Sequence, residues 1–350
     1  IWVILGYSLA FSEGNEWIGG FSNIFMNAID VNSPSGSIPE SLFATFQMTF
    51  AIITPALMIG AFVERIKFSA MLIFLSMWLL VVYVPVTHWV WGGGILSSWG
   101  TMDFAGGIVV HATAGTAALV TALTLGKRRG FPKSITPPHS PILTMIGASM
   151  LWIGWFGFNA GSALGANGGA GMAMLVTHIS AATASLVWMF IEWRRFGKPS
   201  LIGIVTGMVA GLATVTPASG YIGVPGGLVL GFFGGLFCYL AVDYIRGKLQ
   251  IDDSLDVFAV HGVGGILGTL LVAFLATSTF SGLGLAEGQT AVSQFFVQLK
   301  AVVLTVVWTS VFTYLILKIT SFVVPLRVDE QEEIEGLDLR SHGEKGYHSD

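Results

Sequence analysis

The chain has 350 residues, of which 53% are hydrophobic and only 10% charged, with a mean hydropathy of +0.76 and a net charge of −4. A soluble domain carries roughly 25% charged residues, so this composition excludes a soluble globular fold and points to a polytopic membrane protein. There is no basic patch interleaved with aromatics, which argues against nucleic acid, and the single cysteine, Cys238, lies in an apolar run and reads as a small buried hydrophobe.

Ile1 to Phe11 is apolar and then turns polar at Ser12-Glu13-Gly14-Asn15. A helical span needs about 20 apolar residues, so this stretch reads as the second half of a helix. Apolar runs of bilayer length follow at about 41–63, 68–90, 104–126, 141–159, 170–193, 200–216, 222–245, 257–277 and 292–324. Forty-five glycines suit helices packed backbone to backbone in lipid.

The loops alternate in charge. Arg65 and Lys67, then Lys127, Arg128, Arg129 and Lys133, then Arg194, Arg195 and Lys198, then Arg246 and Lys248 follow every second span. The intervening loops carry Glu13, Glu16, Asp30, Glu40, Asp103 and Glu287, and no Lys or Arg. The positive-inside rule therefore places the basic loops and the C-terminal tail in the cytoplasm. The division expected is a transmembrane domain over 1–326 and a cytoplasmic tail over 327–350, strongly acidic from Val328 to Glu335. Such a tail is either solvated chain or a contact for neighbouring subunits or a regulator.

Two stretches stand out. Asp103-Phe-Ala-Gly-Gly-Ile-Val-Val-His111 opens on an acid, runs apolar and places a histidine in mid-span; Asp256-Val-Phe-Ala-Val-His261-Gly-Val-Gly-Gly265 repeats the pattern. Ionisable groups inside spans are costly and usually mark a pathway or relay. Two in matching contexts suggest a site at the interface of an internal repeat. The alternative for each histidine is a satisfied structural residue between helices. A metal site lacks a Cys, Glu or third His at useful spacing, and no cofactor is expected. No nucleophile–base pair or phosphate loop points to an enzyme. His88 and His178 lie near the predicted outer ends of their spans and read as structural.

Around these histidines the sequence resembles the ammonium transporter (Amt/Mep/Rh) family, on the Amt side. The resemblance also rests on Phe46-Gln-Met-Thr-Phe50-Ala-Ile-Ile-Thr, Glu64-Arg-Ile-Lys-Phe-Ser-Ala70, His88-Trp-Val-Trp91-Gly-Gly-Gly94, Gly154-Trp-Phe-Gly-Phe158-Asn-Ala-Gly-Ser162, Thr216-Pro-Ala-Ser-Gly-Tyr-Ile-Gly223, Glu335-Gly-Leu-Asp338 and Ser341-His-Gly-Glu344. All stand in family order. It implies an all-α polytopic membrane fold of eleven transmembrane helices with inverted five-helix repeats. On that mapping the first helix and part of the second are lacking here, and the two histidines lie at equivalent repeat positions on family helices five and ten. It further implies a homotrimer in the plasma (inner) membrane, with one pore per subunit.

The resemblance also implies roles. Trp91, Phe50 and Ser162 correspond to an outer recruitment site for ammonium, where the ring faces attract the cation and the hydroxyl accepts a hydrogen bond. Phe50 and Phe158 correspond to a stacked phenyl gate, and His111 and His261 to twin pore histidines able to relay a proton. Asp103 would cap its helix and add negative potential beneath Trp91; Asp256 would cap the helix of His261. The substrate would be ammonium or ammonia, with methylammonium as a candidate analogue, and the tail a candidate contact for a PII-type signalling protein. The alternatives are an ammonium sensor with its output through the tail, or a passive Rh-type channel for ammonia or carbon dioxide.

Overall fold

The computed structural model describes residues 1–346, so the last four residues of the expected tail, 347–350, lie outside the described residues. A short helix α1 (Trp2–Phe11) leads into a loop carrying a two-stranded antiparallel hairpin, β1 (Pro34–Ser35) and β2 (Ile38–Pro39). The long helices follow: α2 (Glu40–Ile59), α3 (Phe68–Ser98), α4 (Gly107–Leu125), α5 (Pro141–Gly161), α6 (Gly168–Phe196), α7 (Leu201–Val215), α8 (Val224–Leu249), α9 (Phe258–Leu275) and α10 (Ala291–Val323). Eight of these are long and apolar enough to cross a bilayer. The run expected at 200–216 is the exception, because α7 has only 15 residues before the chain turns at Thr216-Pro217. Two short helices, α11 (Glu330–Glu335) and α12 (Leu337–His342), form the tail.

Helix starts are marked by side-chain caps. Ser140, Asn167 and Ser200 each accept a backbone N–H three residues on, and Thr290 and Ser293 form a reciprocal pair at the start of α10. Small residues bring α6, α7 and α8 together: a Cβ at Gly211 or Gly231 would lie 2.5 or 2.6 Å from the Ser180 carbonyl oxygen, so only hydrogen fits at either place. The same device joins α4 to α9, where Gly115 lies against the backbone of Gly262.

α10 packs along α3, α4 and α9. Two of its buried polar side chains find partners there. Gln298 Nε2 donates to the carbonyls of Met102 (2.7 Å) and Thr269 (3.0 Å), and Thr313 Oγ1 accepts from Trp78 Nε1 at 3.0 Å.

The basic loops meet at one end of the bundle. Arg65, wholly buried, donates to Ser254 Oγ (2.8 Å) and the Asp252 carbonyl (2.6 Å), while Arg128 pairs with Asp252 (3.2 Å) and Glu64 (3.1 Å). The tail docks on the same cluster. Ile66 bridges to Arg327, Val328 N donates to the Arg65 carbonyl, and Glu333 accepts from Arg327 Nη2 and from Arg129 N. The loops holding Trp17, Trp89, Gly100 and Met102 gather at the opposite end.

Candidate functional site

Between those two ends runs a column of rings. Trp91 ends the main run of α3, where the chain breaks at Gly92–Gly94 and Gly93 takes φ +84°. Its indole N–H donates to the Asp103 carbonyl at 2.9 Å, which fixes the ring beside the start of α4. Phe50, on α2 and 1% exposed, meets Trp91 edge to face at 5.5 Å and Phe158 at 4.5 Å. Phe158 and Trp155, one turn apart on α5, lie nearly parallel to the His111 ring, at 6.0 and 5.4 Å. His111 then faces His261, with ring centroids 5.2 Å apart and the two Nδ1 atoms 3.3 Å apart.

Five of the residues singled out in the sequence therefore form one continuous path: Trp91, Phe50, Phe158, His111 and His261. Ser162 joins it through Phe158, to whose carbonyl its hydroxyl donates at 2.9 Å. Phe50 and Phe158, expected as a stacked pair, are in contact at 4.5 Å but are not coplanar. The two rings are tilted by 49°, because Phe158 is held parallel to His111 (13°) and Trp155 (28°).

The local backbone explains how each histidine reaches the path. His111 and His261 both sit in π-turns, at Gly107–Ala112 and Phe258–Gly262, where the wider i→i+5 turn rotates a side chain out of α-helical register. Asp103 caps the first turn with four bonds: Oδ1 accepts from Gly106 N (2.9 Å) and Gly107 N (2.6 Å), Oδ2 from Ile108 N (2.8 Å) and Val109 N (3.1 Å). Burial pushes this carboxyl above its ordinary value and the four N–H donors work against that; four donors match the lone pairs of an ionised carboxylate.

The capping role expected of Asp256 belongs to Asp253, whose Oδ2 accepts from Phe258 N at 2.7 Å. Asp253 precedes His261 by the same eight residues that separate Asp103 from His111. Asp256 corresponds instead to Gly106, and both take left-handed backbone, at φ +57° and +114°. Its carboxylate turns away to Arg246 Nη2, at 3.0 Å.

A cavity of about 610 Å³ lies along the histidine part of the column, lined by Ile53, Leu57, Met150, Trp155, His111 and His261 among others. His111 Nε2 is wholly buried and has no protein partner. In an apolar wall, such an atom is a place for a small polar guest to bind. His88 has the structural role expected: it is buried, with its ring nitrogens on the carbonyls of Ala10 (2.9 Å) and Asn15 (2.7 Å). His178 packs beside Trp152 and Phe156.

The model of the Ammonium Transporter Family matches residues 1–347. The chain belongs to that family. It is 46% identical to a putative ammonium transporter of Methanothermobacter thermautotrophicus and 43% identical to an ammonium transporter of Bacillus subtilis, each alignment covering 99% of this chain and 86% of the relative. Among solved structures it is similar to Saccharomyces cerevisiae Mep2 (TM-score 0.85, 35% identity, 94% of this chain and 77% of that one) and to a sensor Amt protein (TM-score 0.89, 29% identity, 97% and 86%). This family member is thus an ammonium transporter with an Amt/Mep fold.

Trp155 and Asp253 are the residues that inspection of the motifs passed over. Trp155 stands one turn before Phe158 on the same face of α5, and its indole N–H is pinned to Thr216 Oγ1 at 2.9 Å. Asp253 was findable from the equal spacing of acid and histidine in the two halves.

Proposed function

We propose that ammonium is recruited at Trp91, Phe50 and Ser162, loses a proton beside the Phe50–Phe158 constriction, and crosses as ammonia past His111 and His261. Ring faces attract a cation by about 0.5–2 kcal/mol each. The tight contact of Phe50 with Phe158 then opposes the ion, because an unpaired charge in an apolar passage costs many kcal/mol while a neutral polar molecule costs far less. Beyond the gate, ammonia donates to unpartnered His111 Nε2, and the Nδ1–Nδ1 contact gives the released proton a separate track along the imidazoles, which carry both donor and acceptor. The observation that carries this reading is the unbroken column from Trp91 to the His111–His261 pair.

The setting follows from loop charge and exposed surface. The Arg65 end faces the cytoplasm of a plasma (inner) membrane, on the positive-inside rule. Exposed apolar side chains such as Ile142, Ile146 and Ile153 on α5 face lipid or neighbouring subunits of a homotrimer. Residues 327–350 are the cytoplasmic tail and, together with the basic loops, the place for a PII-type regulator.

The test is uptake of labelled methylammonium by proteoliposomes with ammonium as competitor. Trp91→Leu removes one aromatic face and raises the half-saturating ammonium concentration about 2- to 30-fold, from the cation–π range above. An unchanged value would remove Trp91 from the recruitment site.

A further inference from the structure

Two glutamines, Gln294 and Gln298, are buried one turn apart on the same face of α10. A primary amide inside a membrane span is costly, and such groups tend to mark functional positions. Gln298, wholly buried, uses both of its donors and both of its acceptor sites. Nε2 donates to the carbonyls of Met102 (2.7 Å) and Thr269 (3.0 Å). Oε1 accepts from Met102 N (2.8 Å) and from Gln294 Nε2 (3.2 Å). Gln294 Nε2 also donates to the Gly100 carbonyl at 3.0 Å.

The partners of this amide are of two kinds. Gln294 on α10 and Thr269 on α9, two turns beyond His261, belong to helices and serve as anchors. Met102 lies in irregular chain between α3 and α4, and both its N–H and its C=O are taken by Gln298. One side chain therefore fixes the two peptide units that flank Met102. The next unit is fixed by Phe104 N, which donates to the Pro217 carbonyl at 3.0 Å. The carbonyl of that unit belongs to Asp103, and it is the one that accepts from Trp91 Nε1 at 2.9 Å. Trp91 depends on this tether, because the main run of α3 stops at Gly92–Gly94 just after it. Its other neighbours are apolar: Phe50 meets it edge to face, and its Cη2 lies over Gly106, 3.4 Å from where a Cβ would stand.

We propose that Gln298 is a positioning residue for ammonium recruitment: it holds Met102 and Asp103 against α9 and, through the Asp103 carbonyl, sets the plane of the Trp91 ring. The inference rests on Trp91 being the recruitment ring. Gln298 itself touches no substrate. A ring attracts a cation held over its face, within about 6 Å of the centroid, so a tilted indole weakens capture while Phe158 and the histidine pair stay as they are. An apolar side chain of the same length would leave the N–H and C=O of Met102 unpaired, and the segment would shift to find other partners.

The test is a double-mutant cycle on the half-saturating ammonium concentration, measured by competition with labelled methylammonium uptake into proteoliposomes. Gln298→Met is expected to raise that concentration at least about twofold, by no more than Trp91→Leu does, with the saturating rate per folded protein within about twofold of wild type. In a Trp91→Leu background Gln298→Met is expected to add no further rise, because the ring it positions is gone. A purely structural role would weaken capture alike in both backgrounds. Half-saturation does not depend on how much of the protein folds. Should Gln298→Met fail to reconstitute, Gln294→Met takes its place in the cycle; it removes one of the four bonds of Gln298 and the Gly100 contact, and raises half-saturation to a smaller extent. An equal rise in both backgrounds, or wild-type half-saturation in the glutamine variant, would overturn the assignment. A Trp91→Leu value equal to wild type would instead sink recruitment at Trp91, and this inference with it.

Discussion

The contact between the two histidine-bearing helices is tight enough that one methyl group should open it. Gly265, one turn beyond His261 on α9, faces α4. A Cβ there would lie 2.5 Å from His111 Cβ and 2.8 Å from the Gly107 carbonyl oxygen. Carbon–carbon contacts sit at about 3.5–4.0 Å, so Gly265→Ala demands a shift of about 1 Å between α4 and α9. The neighbour is a Cβ on a π-turn capped by Asp103 and cannot swing away as a long side chain would. Two consequences follow. Overpacking costs about 1–3 kcal/mol of stability. The Nδ1–Nδ1 contact, already long at 3.3 Å, opens beyond hydrogen-bond range, and displacements of this size cost on the order of 100-fold in reaction rate where geometry is exacting. The assay is ammonium-evoked current per unit of reconstituted protein, beside the melting temperature in detergent. Wild-type current and melting temperature together would refute the close-packing argument.

Other consequences are smaller in scope. Asp103→Asn offers one acceptor oxygen to four N–H donors, so the π-turn loosens; transport falls at least tenfold, whereas Asp256→Asn leaves the start of α9 intact, and hydrogen exchange at residues 107–112 against 258–262 separates the two. Arg65→Ala removes a wholly buried guanidinium and leaves the Asp252 carbonyl and Ser254 Oγ without its donors, at about 1–3 kcal/mol for each unpaired group, read as a loss of folded protein or a lowered melting temperature; an unchanged melting temperature would count against a structural role. Burial pushes Glu333 up, but bonds from Arg327 and Arg129 N outweigh it and hold its pKa below the ordinary 4.5. Because the docked value is the lower one, the tail's docking stability is full above about pH 4.5 and fades as pH falls through the docked pKa. Limited proteolysis around residues 328–335 should therefore quicken below that pH, and at neutral pH in Glu333→Gln; equal cleavage at all pH values would contradict the docking.

Much of this was legible because lipid imposes a simple code. Spans show as 20-residue apolar runs, and the alternating Arg and Lys clusters after them foretold the gathering of Arg65, Arg128 and Arg327 at one end. Aromatic and histidine positions were readable from motif order. The caps were harder. Asp256 lies nearer its histidine than Asp253 does, and proximity favoured it, yet a carboxylate caps here by reaching backbone N–H groups three to six residues on. That geometry depends on a left-handed residue between cap and turn, and an aspartate in that role looks like a cap on paper. α7 matches the apolar run of 200–216 to within a residue at each end, but at 15 residues before Thr216-Pro217 it is shorter than the about 20 that a span needs. The tilt of Phe50 against Phe158 comes from the stack of Phe158 on His111 and Trp155, a three-body contact that no single motif encodes.

The central claim is that ammonium is split at the gate and that its charge and its nitrogen both pass the His111–His261 pair. An ammonium jump on proteoliposomes of the wild type and of His111→Ala, with current and internal pH recorded together, tests it most directly. The account predicts a saturating current in the wild type and its loss in His111→Ala. A full current in His111→Ala would contradict the account, since charge would then cross without the pair.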